Sequence, residues 1–218
     1  MEYRYSSYRS EDLREYLRFL PLDVAFIGPS GVGKSTTINQ IFGENVAKVG
    51  EIEPETIEIQ QYQLNDNLRV WDTPGYGDST DNDEVYIRAL EQLLTQRFNT
   101  KDGKFTNLYL IDFVILFVDA SSRDLGTVNW MIQKIVDMGF PDSRIILVAN
   151  RMDLINQHGK TNPEKQYERG MIVTERIKAS TKIQLNIPVF FSAGGNENIN
   201  LLIDEIIDRS KIGNRAEG

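Results

Sequence analysis

At 218 residues, 40% of them hydrophobic, the chain can bury one substantial core, and its length favours a single α/β domain with small additions over two domains. A formal charge of −8 argues against broad attraction to nucleic acid or anionic lipid, and the lack of cysteine excludes a disulfide framework or a thiolate metal site. The start Met1-Glu2-Tyr3-Arg4-Tyr5 lacks the basic-then-apolar order of a signal peptide, and no apolar run approaches the length of a membrane span, so a cytoplasmic protein is expected.

Residues 1–20 read as a helical extension, with Leu13, Leu17 and Leu20 at helical spacing behind Ser10 as N-cap. Its aromatic side chains Tyr3, Tyr5, Tyr8, Tyr16 and Phe19 are expected to pack on the main domain, residues 21–212. Residues 213–218 read as a fraying tail. The run Leu22-Asp23-Val24-Ala25-Phe26-Ile27 predicts a buried strand. Gly28-Pro29-Ser30-Gly31-Val32-Gly33-Lys34-Ser35 follows it with the spacing G-x-x-x-x-G-K-[ST] and leads into a helix-like segment, the context that a phosphate-binding loop requires. In such a loop Gly31 and Gly33 let the backbone turn its N–H groups inward along Pro29 to Thr36. Lys34 sets an ammonium between the β- and γ-phosphates, and the Ser35 hydroxyl ligates Mg²⁺. A nucleoside triphosphate is the expected ligand.

Switching nucleotidases also need a hydroxyl that meets Mg²⁺ only when the γ-phosphate is present. Between Thr37 and Thr73 the sequence offers one Ser or Thr, Thr56. The segment from Thr56 to Leu64 alternates, Asn65-Asp66-Asn67 turns, and Leu68-Arg69-Val70-Trp71 continues, which predicts an antiparallel hairpin. At its end Asp72-Thr73-Pro74-Gly75 places a carboxylate where it can hold a Mg²⁺-bound water, with the Gly75 N–H facing the γ-phosphate. A helix is predicted over 83–98, then a polar loop, residues 99–107, read as an insertion.

Phe113 to Val118, Ile145 to Ala149 and Ile187 to Phe191 are continuous apolar runs that read as buried parallel strands. Helical patterns at 126–138, 164–180 and 196–210 separate or follow them, giving a three-layer, mostly parallel sheet. Asn150-Arg151-Met152-Asp153 directly follows one of these strands, where Asn150 and Asp153 can read a purine from its edge. Asp153 would accept from guanine N1–H and the 2-amino group, whereas adenine would leave the charge unpaired. With charge-assisted bonds worth about 1.5–3 kcal/mol each, guanine is favoured. After the next strand Ser192-Ala193-Gly194 can supply backbone donors to guanine O6.

Taken in chain order, these segments resemble the signature motifs of translation-factor-like P-loop GTPases: phosphate loop, switch I threonine, D-x-x-G, N-[KR]-x-D and S-A-x. Val32 to Asn39 and Asp72 to Asp78 look most like the Era, septin and immunity-related GTPase branch, and bacterial single-domain relatives look similar. The resemblance spans about Leu22 to Ile207. It implies a six-stranded sheet with one antiparallel strand, helices on both faces, and Mg²⁺-dependent hydrolysis of GTP to GDP coupled to conformational switching. Catalytic parts would fall to Lys34, Thr56 and Gly75, metal binding to Ser35, Thr56 and Asp72, and Arg151 would stack over the base.

Three departures qualify that picture. Tyr76 stands where Ras-type enzymes carry a water-orienting glutamine, Gly31 stands where potassium-activated members carry asparagine, and no arginine occurs between Ser35 and Arg69. Slow turnover is therefore expected unless a protein activator, or a homodimer across the nucleotide face, supplies what is missing. The competing expectations are a nucleotide-dependent assembly module that barely hydrolyses GTP, and an ATPase in which the Asn150–Asp153 segment is accidental.

Overall fold

A computed structural model describes residues 21–47, 59–65, 68–77, 80–99, 107–123, 125–155 and 162–211. The expected extension 1–20, Thr56, residues 100–106 of the polar loop 99–107 and the tail 213–218 lie outside the described residues. In chain order come β1 (Leu22–Ile27), α1 (Lys34–Phe42), β2 (Gln60–Asn65), β3 (Leu68–Asp72) and α2 (Thr80–Thr95). A two-residue pair follows, β4 (Arg97–Phe98) with β5 (Leu108–Tyr109), then β6 (Phe113–Asp119), α3 (Gly126–Asp137) and β7 (Ile145–Asn150). The last elements are α4 (Pro163–Thr181), β8 (Val189–Phe190) and α5 (Ile199–Lys211).

The main sheet has six strands in the order β2-β3-β1-β6-β7-β8, and only the β2–β3 pairing is antiparallel. This is the expected three-layer arrangement. All residues of β1 and β7 are buried, as in strands covered by helices on both faces, and all but Asp23 and Asn150 are apolar. Alternate residues serve opposite faces. Ala25, Ile27, Val114, Leu116 and Leu147 join a core with Leu90 and Leu94 of α2, Ile132 of α3 and Ile177 of α4. Val24, Phe26, Ile115, Phe117 and Val148 pack instead with Ile38 and Ile41 of α1 and Leu202, Ile203 and Ile206 of α5. Each of the Val, Leu, Ile and Phe side chains among these, fully buried, stabilises the fold by about 1.5–3 kcal/mol relative to exposure. The polar edge strand β2 keeps Gln60, Gln61 and Gln63 exposed.

Where boundaries differ from expectation, local chemistry supplies the reason. The helix expected over 83–98 runs instead from Thr80 to Thr95, and Arg97 and Phe98 pair with Tyr109 and Leu108 under a guanidinium–ring contact of Arg97 on Tyr109. β8 is shorter than the apolar run around it: Pro188 has no N–H to give the ladder, and Ile187 is exposed. The last helix begins at Ile199 rather than 196 because Asn196 and Asn198 sit in the left-handed region, φ 56° and 59°. There they close a turn in which Ser192 and Glu197 exchange backbone hydrogen bonds of 3.0 and 2.9 Å. α4 starts as its sequence suggests, with Pro163 in the first turn and the Asn162 side chain accepting from Lys165 N.

Candidate functional site

The motif segments meet along the carboxyl edge of the sheet, where β1, β3, β7 and β8 end, the usual place for a ligand in an open α/β sheet. The loop between β1 and α1 needs glycine at two points, with φ 68° at Gly31 and 98° at Gly33. Gly33 is doubly constrained, since a Cβ there would lie 2.2 Å from Asn150 Nδ2. Lys34 is buried, and its ammonium donates to Gly28 O at 2.9 Å and Pro29 O at 3.2 Å. Thr37 Oγ1 donates to Gly33 O at 2.7 Å, fastening the first turn of α1, which also carries Ser35 and Thr36.

The pairing of Phe26 with Asp72 in the β1–β3 register carries the strand-end carboxylate to the loop. Ser35 Oγ donates to Asp72 Oδ2 at 2.9 Å, while the buried Asp72 Oδ1 has no hydrogen-bond partner among the described residues. Burial raises the Asp72 pKa; the Ser35 hydrogen bond and the Lys34 charge work against that rise. Beyond Asp72 the chain zips onto the phosphate loop. Thr73 Oγ1 donates to Phe26 O at 2.7 Å, Ser30 N donates to Tyr76 O at 3.2 Å, and a Cβ on Gly75 would lie 2.3 Å from Ser30 Cα. Gly75 is required here by close approach.

Tyr76 turns inward from that clasp. Its ring lies 6.0 Å from Tyr86 of α2 and 5.9 Å from Trp130 of α3, and its buried hydroxyl has no partner among the described residues. Burial, with the nearby Tyr86, pushes its pKa well above the usual phenol value, so the ring stays neutral and belongs to the core.

The expected base-recognition loop is divided in its duties. Both ends of the Asn150 amide are taken by main chain: Nδ2 donates to Val32 O at 2.8 Å, and Oδ1 accepts from Ala193 N at 2.9 Å. Asn150 is thus a buried tie between the phosphate loop and the Ser192-Ala193-Gly194 turn, and its second N–H is the part of the amide left for a base. Asp153 Oδ1 accepts from Ser192 Oγ at 2.6 Å, and Asp153 is exposed. Ser192 N and Ala193 N are occupied, so among the described residues the Gly194 N–H is the donor of that turn left to face a ligand. Arg151, expected to stack over a base, has φ 64°; its guanidinium donates to Asp119 Oδ2 at 2.9 Å and to Gly31 O.

Asp119 was not among the expected site residues. Hydrogen bonds from Ser121 and the Arg151 charge hold its carboxyl below the usual range, outweighing burial, the largest single influence, which acts in the opposite sense. A carboxylate directly after the apolar run of β6 is the sequence signal that would have found it. The arrangement brings together Lys34, Ser35, Asp72 and Gly75 at one end and Asp153, Gly194 and Arg151 at the other, with Asn150 joining them. It can hold an anion beside a cation and a hydrogen-bonding ring some distance away.

Residues 23–151 match the family model described as 50S ribosome-binding GTPase. The probable GTP-binding protein EngB of Thermotoga maritima is 28% identical over 188 residues, covering 84% of each chain, and that of Clostridium beijerinckii is 27% identical over 189 residues, covering 85% of this chain and 84% of its own. The fold is shared with a crystal structure of a probable GTP-binding protein engB, with a TM-score of 0.59 at 18% identity, covering 87% of this chain and 99% of that one. It is also shared with a structure described by the importance of dimerisation for the GTPase activity of the chloroplast translocon components atToc33 and psToc159, with a TM-score of 0.70 at 17% identity, covering 99% and 95%. Motifs, fold and family model agree, and the chain belongs to the 50S ribosome-binding GTPase family of P-loop, GTP-binding proteins.

Proposed function

We propose that this GTPase works as a slow, Mg²⁺-dependent switch, with the phosphate loop, Asp72 and Gly75 at the triphosphate and Asp153 and Gly194 at the guanine. The observation that carries this reading is the Ser35–Asp72 pair beside Lys34, with a buried Asp72 oxygen that has no partner among the described residues. A buried acceptor without a partner costs about 1–3 kcal/mol, and a hydroxyl, a carboxylate and phosphates are the hard oxygen donors that Mg²⁺ takes. Ser35, Asp72 and, from the sequence, Thr56 would hold the ion directly or through water. When bound, Mg²⁺ would neutralise charge on the β- and γ-phosphate oxygens. Lys34 adds a positive charge, the loop N–H groups orient the phosphates, and Gly75 offers its N–H where no side chain can intrude. Calorimetry with GDP and GTP plus Mg²⁺ tests the whole assignment, because a folded protein giving no heat with either would end it.

Slow unassisted turnover follows from Tyr76, whose ring lies in the core and offers the γ-phosphate no amide. Help from a protein activator or a second copy across the nucleotide face is part of the proposal; the translocon GTPases of the same fold, whose activity depends on dimerisation by their description, support it. Within the family, the EngB type is better supported than the Era, septin and immunity-related branch, given similarity over 84% of both chains. Among the described residues no helix is long and apolar enough to cross a membrane.

Two outcomes are expected. Asp153→Asn should weaken GTP and GDP binding by about 10²-fold or more and favour xanthine nucleotide, since an acceptor facing guanine donors is partly replaced by a donor. Competition against a fluorescent GDP checks this, and unchanged GDP affinity would remove Asp153 from the base site. The second concerns pH. The folded, metal-free protein holds the Asp72 proton more tightly than the unfolded chain does. Stability from this group is therefore present at low pH and lost as pH rises through the folded pKa. Metal binding needs the ionised form, so the gain in Tm on adding Mg²⁺ and GDP should be largest near neutrality and shrink on acidification. Asp72→Asn should abolish that pH dependence; a profile identical to the parent would show that another group governs it.

A further inference from the structure

Arg169 of α4 belongs to none of the signature motifs, yet its guanidinium lies against the loop that follows β6. Nε donates to Ala120 O at 3.2 Å and Nη2 to Ser122 O. Further along the helix Arg176 Nη1 donates to Arg123 O at 3.2 Å. This loop begins with Asp119, whose Oδ1 accepts from Ser121 N at 2.8 Å and Ser121 Oγ at 2.6 Å while Oδ2 accepts from Arg151. Arg151 then donates to Gly31 O. A line of polar contacts thus runs from α4 through the loop to the phosphate loop.

The chemistry of the last contact gives that line a consequence. Carbonyl and N–H of one trans peptide point in opposite directions. With Gly31 O held by Arg151, the Val32 N–H lies on the other side of the same peptide, where it closes the Pro29–Val32 turn by donating to Pro29 O at 3.3 Å, so the contact fixes the path of the loop whose other N–H groups turn inward. Inward N–H groups are what such a loop offers to phosphate. Burial first, and then the charges of Arg176 and Arg123, lower the Arg169 pKa against the opposing charge of Asp119. Anchoring of α4 does not require the Arg169 contacts, because buried Val173 and Ile177 already fix the helix to the core.

We propose that Arg169 is a positioning residue for nucleotide retention: it fixes the Ala120–Ser122 turn, so that Asp119 orients Arg151 and Arg151 holds the Gly31 peptide in its phosphate-binding orientation. The inference rests on the reading of Gly28 to Ser35 as the phosphate cradle. A double-mutant cycle on the full chain tests it, following release of N-methylanthraniloyl-GDP. Arg169→Ala should release GDP about tenfold faster, and Arg169→Lys, one ammonium in place of a fork, about threefold faster. In an Arg151→Ala background, Arg169→Ala should add nothing. Release at the parental rate from both Arg169 variants, or fully additive effects with Arg151→Ala, would overturn the proposal. So would an early-melting Arg169→Lys that releases GDP at the parental rate, since that is a structural role alone. Failure of the parent chain to bind the labelled GDP is a different result, which removes the phosphate-cradle reading and this inference with it.

Discussion

Lys34→Ala should lower GTP turnover at saturating nucleotide by about 10²–10³-fold, the range for removing one preorganised charge or donor from a transition state. The argument begins with placement. Lys34 opens α1 at the end of a loop whose Gly33 takes φ 98°, and its ammonium is buried against Gly28 O and Pro29 O. Charge that develops on phosphate oxygens in so enclosed a place is stabilised far more than in water. Removal has a second effect, because the Lys34 charge is one of the two influences that lower the Asp72 pKa; without it Asp72 holds its proton more tightly and binds metal less well. Arginine should not rescue, since a planar fork does not fit where a single ammonium is buried. Phosphate release with Mg²⁺ measures turnover, and fluorescent GDP measures affinity separately. Turnover within about threefold of the parent, with binding saturated, would mean that Lys34 contributes little to the transition state.

Much of the fold was legible because its strands declare themselves. β1, β6 and β7 are near-continuous apolar runs, broken only by Asp23 and by Asp119 and Asn150 at their ends, and only a sheet covered on both faces accommodates them. The phosphate loop was legible for a similar reason, since Gly31 and Gly33 occupy left-handed conformations that few other residues accept. What could not be read is what depends on distant partners. Asn150 reads as a base-recognising amide because residues of that type follow a strand there. Its actual ties reach Val32, 118 positions away, and Ala193, 43 positions away, and no local pattern encodes them. The same holds for Arg169, an ordinary charged residue on an amphipathic helix until α4 docks beside the β6 loop. Tyr76 shows the limit at one residue. The sequence says that no glutamine follows Gly75, but the direction of the ring is set by the space between Tyr86 and Trp130. Thr56 lies outside the described residues and remains a proposal from sequence.

Asn150→Ala should be the most damaging single change to stability at the site, at about 2–4 kcal/mol and roughly 5–15 °C in Tm. The side chain is buried, with 3% exposure, and each of its polar atoms serves one backbone group. Truncation leaves Val32 O and Ala193 N without partners, at about 1–3 kcal/mol each. Neighbours cannot close the gap, because Gly33 has no side chain to offer and its conformation, φ 98°, admits none cheaply. The isosteric Asn150→Asp should do no better, since an oxygen would then face Val32 O where Nδ2 now donates. Loss of the tie also uncouples the phosphate loop from the Ser192–Gly194 turn, so GDP affinity should fall even in the cold, where both variants remain folded. The contrast with Asp153→Asn makes the assignment testable. Asp153 is exposed, and its replacement should change base preference while leaving the nucleotide-free Tm within about 2 °C of the parent. Thermal melting without nucleotide, run on both variants, separates the two roles. If Asn150→Ala melted with the parent and lost only guanine selectivity, its amide would serve the base alone, and the link between the two halves of the site would have to lie elsewhere.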